Sequence, residues 1–121
     1  MAAQYDIVLE EGATWTRTFT YEVPKGTPVD LTGDTCDLEI REKVDDAAAL
    51  LTLSETAGIT LGGVAGTMIV TITGTQTAAL ADLIENGVFD LLLTHDSVPI
   101  RLVEGIVRVK KAVTRPWEVT P

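Results

Sequence analysis

The strongest constraint on the fold of this chain is an alternation of side-chain type with a period of two. In residues 14–21, Trp15, Arg17, Phe19 and Tyr21 alternate with threonines. Successive side chains of a β-strand point to opposite faces, so the pattern predicts a strand with one packed face and one solvated face. Threonine and aromatic residues also favour strands. The segment therefore indicates β-structure.

The same alternation recurs along the rest of the chain. Cys36, Leu38 and Ile40 alternate with polar or charged residues, and glycines and prolines punctuate the stretches between such runs. Further strands are predicted at residues 5–10, 50–53, 58–63, 67–73, 89–94 and 100–109. The pattern predicts seven or eight short strands in all.

One segment departs from this alternation and has the spacing of a helix. Leu80 is followed by apolar residues three and four positions later, which is the spacing of one helix face. We expect one short helix near residues 75–85. Thr75 is a candidate N-cap, and Asn86 and Gly87 are a candidate C-terminal stop.

The last predicted strand changes the parity of its apolar residues. Ile100 and Leu102 share one face, whereas Val103 and the later valines share the other. Glu104 and Gly105 lie within this run. An extra residue in one strand changes the parity in this way, so we expect a β-bulge or a sharp bend at these two positions.

These elements predict an all-β fold. We expect a two-sheet antiparallel sandwich, immunoglobulin-like, of seven or eight strands with one short helix near 75–85. A small barrel is the structural alternative. The sandwich domain is predicted to span residues 1–113, and the proline-flanked residues 114–121 are predicted to form an extended C-terminal tail.

The charge of the chain excludes some partners. Nine basic and eighteen acidic residues give a formal net charge of −9, which repels phosphate backbones and anionic lipid, so we expect neither nucleic acid nor a membrane as a partner. No stretch is long and apolar enough for a membrane span. The first residues lack the basic and apolar regions of a secretory signal peptide, so we expect none.

The residues needed for catalysis are scarce. His95 is the one histidine, and Ser54 and Ser97 are the two serines. No G-x-S-x-G motif places a nucleophile on a strained turn. Asp96 and Ser97 lie beside His95, but turn polarity explains these neighbours better than a catalytic triad does. We expect that the protein is not an enzyme and has no cofactor.

Metal binding also has little support in the sequence. A single cysteine and a single histidine do not fill a tetrahedral zinc site. Cys36 lies in an alternating apolar run and is predicted to be a small buried side chain. The pair Asp45 and Asp46 is the one candidate for calcium, but the EF-hand spacing is absent and a solvated acidic loop is the better explanation. We therefore predict no metal site.

Two terminal segments are candidates for contact with a partner. Trp117, with Arg115 and Pro116, lies in the tail, where an exposed tryptophan would anchor a neighbouring subunit. Folding of the tail back onto its own domain is the alternative. Tyr5 belongs to a segment that would add to the sheet edge of a neighbour. The candidate contact residues are thus Trp117, Arg115, Pro116 and Tyr5.

Several segments carry a resemblance to a known class of protein. Residues 28–33 (PVDLTG) with the following strand, and residues 5–14 (YDIVLEEGAT), resemble small bacteriophage proteins encoded among tail and baseplate genes. The likeness extends over residues 58–63, 66–73 and 87–94. The layout also resembles the N-terminal β-sandwich domain of phage baseplate upper proteins, which attaches receptor-binding parts to the tail.

The resemblance implies a non-enzymatic virion structural protein. It would act as a tail, baseplate or fibre-attachment adaptor, through contacts with other virion proteins and in multiple copies. Its location would be the virion, assembled in the host cytoplasm. The chain lacks the long C-terminal extension of a baseplate upper protein, which favours a separate adaptor or decoration subunit. A capsid decoration or head-fibre protein, and a small carbohydrate-binding β-sandwich module, are the alternatives.

Overall fold

The computed structural model describes residues 2–114 and contains two β-sheets and one α-helix. The described strands are β1 (Ala3–Gln4), β2 (Ile7–Glu10), β3 (Trp15–Thr20), β4 (Thr35–Arg41), β5 (Leu51–Ser54), β6 (Ile59–Leu61), β7 (Thr67–Ile72), β8 (Asn86–His95) and β9 (Val98–Lys110). The helix α1 spans Gly74–Ala81, and a 3-10 turn spans Gly63–Ala65.

The strand order is that of an immunoglobulin-like sandwich. The larger sheet has the order β1-β9-β8-β4-β5, with β2 also paired to β9, and the smaller sheet has the order β3-β7-β6. In immunoglobulin lettering, β9, β8, β4 and β5 take the places of strands G, F, C and C′, and β3, β7 and β6 those of B, E and D. The predicted two-sheet sandwich is confirmed.

The pairing differs from the prediction in one respect. Every pairing between these strands is antiparallel except those of β1 and β2, which run parallel to β9. The N-terminal strands β1 and β2 are therefore hydrogen-bonded to β9 in the larger sheet. Ile7 lies opposite Val107, and Leu9 lies opposite Val109.

The core lies between the two sheets and is built from the alternating apolar residues. Cys36, Leu38 and Ile40 on β4 are fully buried, and so are Leu91 and Leu93 on the adjacent strand β8. Full burial of a large aliphatic side chain stabilises a fold by about 1.5–3 kcal/mol. The alternation that predicted these strands is therefore also what holds the sheets together.

The helix begins earlier than predicted. Its N-cap is Thr73, not Thr75: the Thr73 hydroxyl accepts a hydrogen bond from the Gln76 amide, and the Gln76 side chain accepts one from the Thr73 amide. This reciprocal capping box satisfies two backbone donors that Thr75 would leave free. The helix also ends earlier, at Ala81, and the predicted stop at Asn86 and Gly87 instead begins β8.

The bulge in the last strand lies at a different residue from the one predicted. Leu91 pairs with Val103 and Leu92 pairs with Arg101, so the unpaired extra residue is Leu102. Gly105 pairs regularly with Phe89 on the neighbouring strand. The predicted change of parity is therefore present, but the prediction of its position at Glu104 and Gly105 was wrong.

Gly105 has a different role from the one expected. A Cβ atom at this position would clash with the carbonyl oxygen of Tyr5. The Tyr5 amide donates a hydrogen bond of 3.0 Å to the Glu104 carbonyl. The glycine therefore permits the close approach of the N-terminal segment to β9.

The predicted tail, residues 114–121, lies outside the described residues except for Thr114. Within residues 2–114, no helix has the length and apolar character needed to cross a membrane.

Candidate functional site

One cluster of titratable side chains forms where β8 ends. Asp34, His95 and Asp96 each offer a ligand atom within 4.8 Å of the others, and within residues 2–114 this is the group with metal-ligating geometry. His95 is the last residue of β8, and Asp34 lies just before β4, which pairs with β8. The antiparallel pairing of these strands brings residues 34 and 95 together.

The cluster is held together by contacts among its own members. Nδ1 of His95 lies 2.6 Å from Oδ2 of Asp34, and its Nε2 lies 3.4 Å from Oδ2 of Asp96. The Asp34 side chain is only 6% exposed. The hydrogen bond to Asp34 raises the pKa of His95 above its ordinary value of 6.5, and nearby carboxylates act in the same direction. A protonated His95 therefore forms an ion pair that joins two loops.

The cluster has one side chain fit for general acid or base chemistry but lacks a positioned nucleophile. Ser97 is exposed in the hairpin turn, where it and Asp96 both have positive φ angles, of 66° and 49°. No hydrogen bond between Ser97 and His95 is found in the described structure. Three protein ligands would suffice for a divalent cation with water completing the shell, but each His95 nitrogen already faces a carboxylate. The ion pair accounts for the arrangement.

The sequence did not reveal Asp34 as the partner of His95. Sixty-one positions separate the two residues, and only the register of β4 against β8 brings them into contact. No local spacing could have indicated that pairing.

The candidate calcium loop is tied into local hydrogen bonds. The Asp46 carboxylate accepts a bond from the Lys43 amide, and its carbonyl oxygen accepts one from the Arg41 guanidinium. Asp45 and Asp46 are both exposed. These contacts are those of a solvated turn.

The outer face of the larger sheet carries paired charges. Arg41 contacts Glu39 at 2.6 Å, and Arg101 contacts Asp90 at 2.9 Å. The Gln4 side chain also donates a hydrogen bond to Glu104 across the sheet edge. These pairs are partly exposed, so each adds little stability. The same face also carries two exposed apolar side chains, Val8 and Ile106.

The outer face of the smaller sheet has the opposite character, because it carries no charge. We call this surface the threonine face. It consists of Thr16, Thr18, Thr20, Thr60, Thr67, Ile69 and Thr71. Ile69 lies near its centre, between Thr18 and Thr60, and is 36% exposed. An uncharged patch of this kind stands out on a chain with a formal net charge of −9.

The structure places Tyr5 against its own domain. Its ring packs edge-on against Phe19, with a centroid distance of 5.5 Å, and the Arg17 guanidinium lies 4.8 Å from its centre. The segment from Tyr5 to Leu9 was expected to add to a neighbour's sheet, but β2 pairs with β9 of the same chain. One side of this segment is therefore occupied within the chain, and contact of Tyr5 with a neighbouring subunit stays a prediction.

The other predicted contact residues, Arg115, Pro116 and Trp117, lie outside the described residues.

Comparisons with known proteins bear on the fold alone. No protein-family model matches the sequence, and neither does any curated protein. Among solved structures, Tim-2 superposes with a TM-score of 0.50 and 16% sequence identity, covering 95% of this chain and 100% of that chain. At this identity the likeness supports the β-sandwich and carries no function with it.

Proposed function

We propose that the protein is a non-enzymatic bacteriophage virion structural subunit, a tail, baseplate or fibre-attachment adaptor that acts through protein–protein contacts. The observation that carries this proposal is the threonine face. Residues at the centre of protein interfaces are depleted in charge, and this face is uncharged although the chain is strongly acidic. The outer face of the larger sheet, by contrast, carries ion pairs.

The phage assignment rests on the resemblance of several segments to small tail and baseplate proteins. Their matching residues form strands and turns in the structure: residues 35–41 are β4, and residues 67–72 are β7. These are scaffold elements, and the threonine face lies on β7 and its two neighbours. In this role the protein would contact other virion proteins in multiple copies, in particles assembled in the host cytoplasm.

The two alternatives are supported unequally. A capsid decoration or head-fibre protein would use the same kind of contact with a different partner. A carbohydrate-binding module would need an exposed aromatic platform. Within residues 2–114, every aromatic side chain is buried or half-buried, so the described surface favours a protein partner over a sugar.

The proposal is tested on purified particles of a phage whose genome encodes the chain. Electron microscopy with mass spectrometry of the subunits should find the chain at a fixed stoichiometry. Its absence from the particles would remove the virion role.

A variant tests the threonine face itself. Ile69→Lys puts a charge at the centre of that face, and we expect it to reduce incorporation into particles at least tenfold, because an unpaired charge buried in an interface costs more than about 1.4 kcal/mol. Thr52→Lys, at an exposed position on β5, is the matched control and should assemble normally. Equal incorporation of both variants would show that the threonine face is not the contact surface.

A further inference from the structure

The smaller sheet ends in an open strand. An immunoglobulin sandwich normally has strands A, B, E and D in this sheet, but here only the places of B, E and D are filled, by β3, β7 and β6. The N-terminal strands, which would supply strand A, both pair with β9. Within the described residues, β3 therefore has a neighbour on one side only.

The hydrogen bonds around β7 show which backbone groups of β3 face outward. The Tyr21 amide donates to the Gly66 carbonyl at 2.8 Å, so odd-numbered residues of β3 bond towards β7. The Gly62 amide likewise donates to the Thr67 carbonyl at 2.8 Å, which directs the odd-numbered residues of β7 towards β6. The N–H and C=O groups of Thr16, Thr18 and Thr20 consequently point away from the sheet.

This edge has few of the features that usually block strand addition. Proteins protect exposed edges with prolines, charged residues, bulges or very short strands. β3 has no proline, lysine or bulge, and the guanidinium of its one charged residue, Arg17, lies over the Tyr5 ring of the same chain. β3 is six residues long, whereas the other described strands with a free side, β1, β2, β5 and β6, have two to four residues. β3 is thus the described edge best suited to accept a strand.

We propose that β3 pairs in antiparallel register with β3 of a second copy of this chain, with Thr18 on the two-fold axis. Thr18 then lies opposite Thr18 of the second copy, and Thr16 lies opposite Thr20. These are the residues whose backbone groups point outward, so the pairing forms six hydrogen bonds, counted as two at each of three residue pairs. The two small sheets become one continuous sheet.

The side chains of β3 are complementary to themselves in this register. Arg17 lies opposite Phe19 of the second copy, which allows a cation–π contact and places no like charges opposite each other. Trp15 lies opposite Tyr21, and aromatic cross-strand pairs are favourable. Both aromatic residues are only half-buried within one chain, so surface remains for this contact. The side chains of β3 therefore favour β3 of a second copy of this chain as the partner strand.

The pairing deepens the proposed structural role and rests on it for its biological setting, where several copies meet at high local concentration. A strand-edge contact is small, so we expect dimerisation in the micromolar range or weaker for the isolated chain. Sedimentation over a concentration series up to about 1 mM measures it directly. A chain that stays monomeric throughout that range would overturn the pairing.

Disulfide trapping tests the register. Opposed residues in a hydrogen-bonded antiparallel pair have Cα atoms about 5.5 Å apart, within disulfide range. Under mild oxidation Thr18→Cys should form a covalent dimer, whereas Thr60→Cys, an exposed threonine of the same face on β6, should not. The native Cys36 is fully buried and gives no background. Equal cross-linking of the two variants would contradict the register.

A charge swap provides a second test that leaves the monomer intact. Thr18→Lys opposes two lysines on the axis and should weaken dimerisation about fivefold at low salt. Mixing it with Thr18→Glu should restore association, as heterodimers. Failure of the mixture to associate more strongly than either variant alone would overturn the proposal.

The pairing of β3 and the virion role can fail independently. A chain that dimerises but is absent from particles keeps the pairing and loses the virion role. A chain that is present in particles but stays monomeric in solution and does not cross-link at position 18 keeps the virion role and overturns the pairing.

Discussion

His95 and Asp34 show how one hydrogen bond ties distant parts of the chain together. The Asp34 carboxylate is largely buried, at 6% exposure, and receives the His95 ring at 2.6 Å. A buried carboxylate needs such a donor, because leaving it unpaired would cost more free energy than the contact itself supplies. The pair therefore fixes the turn before β4 to the end of β8.

The charge on His95 should make stability depend on pH. The pKa of folded His95 is raised above the ordinary 6.5, chiefly by the hydrogen bond to Asp34, so its contribution is complete below that value and is lost as pH rises through the folded pKa. We expect the stability difference between wild type and His95→Gln to be largest at pH values below the ordinary pKa of 6.5 and to shrink as the pH rises above it. Urea unfolding at a series of pH values measures it; a difference that grows with pH would contradict the ion pair.

Cys36 should be unreactive in the folded protein. The thiol is fully buried on β4, and burial, with the nearby Asp37 and Glu55 carboxylates, raises its pKa to about 12. Thiolate is the reactive form, so a thiol reagent at neutral pH should label it only after unfolding. The exposed thiol of Thr18→Cys is the positive control. Rapid labelling of native Cys36 would show that β4 opens readily.

At this scale the sequence predicted burial well and contacts poorly. The alternation around Cys36 is a local pattern, and its predicted burial is confirmed. The partner of His95 is not local, since it depends on the register of two strands. Single-residue burial can thus be predicted from periodicity, whereas a cluster such as Asp34, His95 and Asp96 cannot.

The elements of this fold have ends that are set by particular hydrogen bonds. The helix begins where Thr73 and Gln76 bond to each other's backbone, and its Thr77 hydroxyl donates to the Ala13 carbonyl. The Gly12 amide donates to the same hydroxyl. Thr77 is fully buried. The helix is therefore attached to the turn that precedes β3, and its cap helps to position that turn.

The capping box predicts a contrast between two threonines. Thr73→Ala removes the cap and should lower the free energy of unfolding by about 1 kcal/mol. Thr75→Ala changes an exposed residue of the first turn and should alter it by less than about 0.5 kcal/mol. Urea unfolding of both variants measures the difference. A larger effect at Thr75 would mean that the helix begins where the sequence pattern alone suggested.

The errors at the element scale have a common cause. Thr73 and Thr75 are equally good caps by residue type, and the choice depends on Gln76 and on contacts with the turn at Gly12. The bulge at Leu102 was misplaced because glycine is the usual marker of a bulge. A glycine is needed at position 105 instead because the Tyr5 carbonyl, in the link between β1 and β2 a hundred positions away, approaches it closely.

At the scale of the whole molecule, the outer faces of the two sheets differ in charge, and the smaller sheet has an open edge. The larger sheet carries ion pairs together with the exposed Val8 and Ile106, whereas the smaller sheet offers an uncharged face and an open strand. The two-sheet class was predictable from strand count and turn spacing. The parallel pairing of β1 and β2 with β9, which leaves β3 open, was not, because no local pattern records which distant strand a segment joins.

The C-terminal residues give a prediction at this scale. Trp117, with Arg115 and Pro116, is the sequence-based candidate for an anchor on a partner subunit. Truncation after Thr114 should reduce incorporation into particles, since buried tryptophans commonly dominate interface energies. Circular dichroism and sedimentation of the truncated chain are the controls for folding and for β3 pairing. Normal incorporation of a folded, truncated chain would show that Trp117 is not an anchor.

The parallel pairing of β2 with β9 cannot form until β9 has been synthesised. Ile7 and Val107 are neighbours in the sheet but leave the ribosome a hundred residues apart. Until β9 emerges, the apolar side chains of β2 have no strand to join, and the sandwich stays open along that side. Contacts so distant in sequence slow folding, so the nascent chain exposes Ile7 and Leu9 until Val107 and Val109 have been synthesised. Chaperone binding to the nascent chain should therefore include β2.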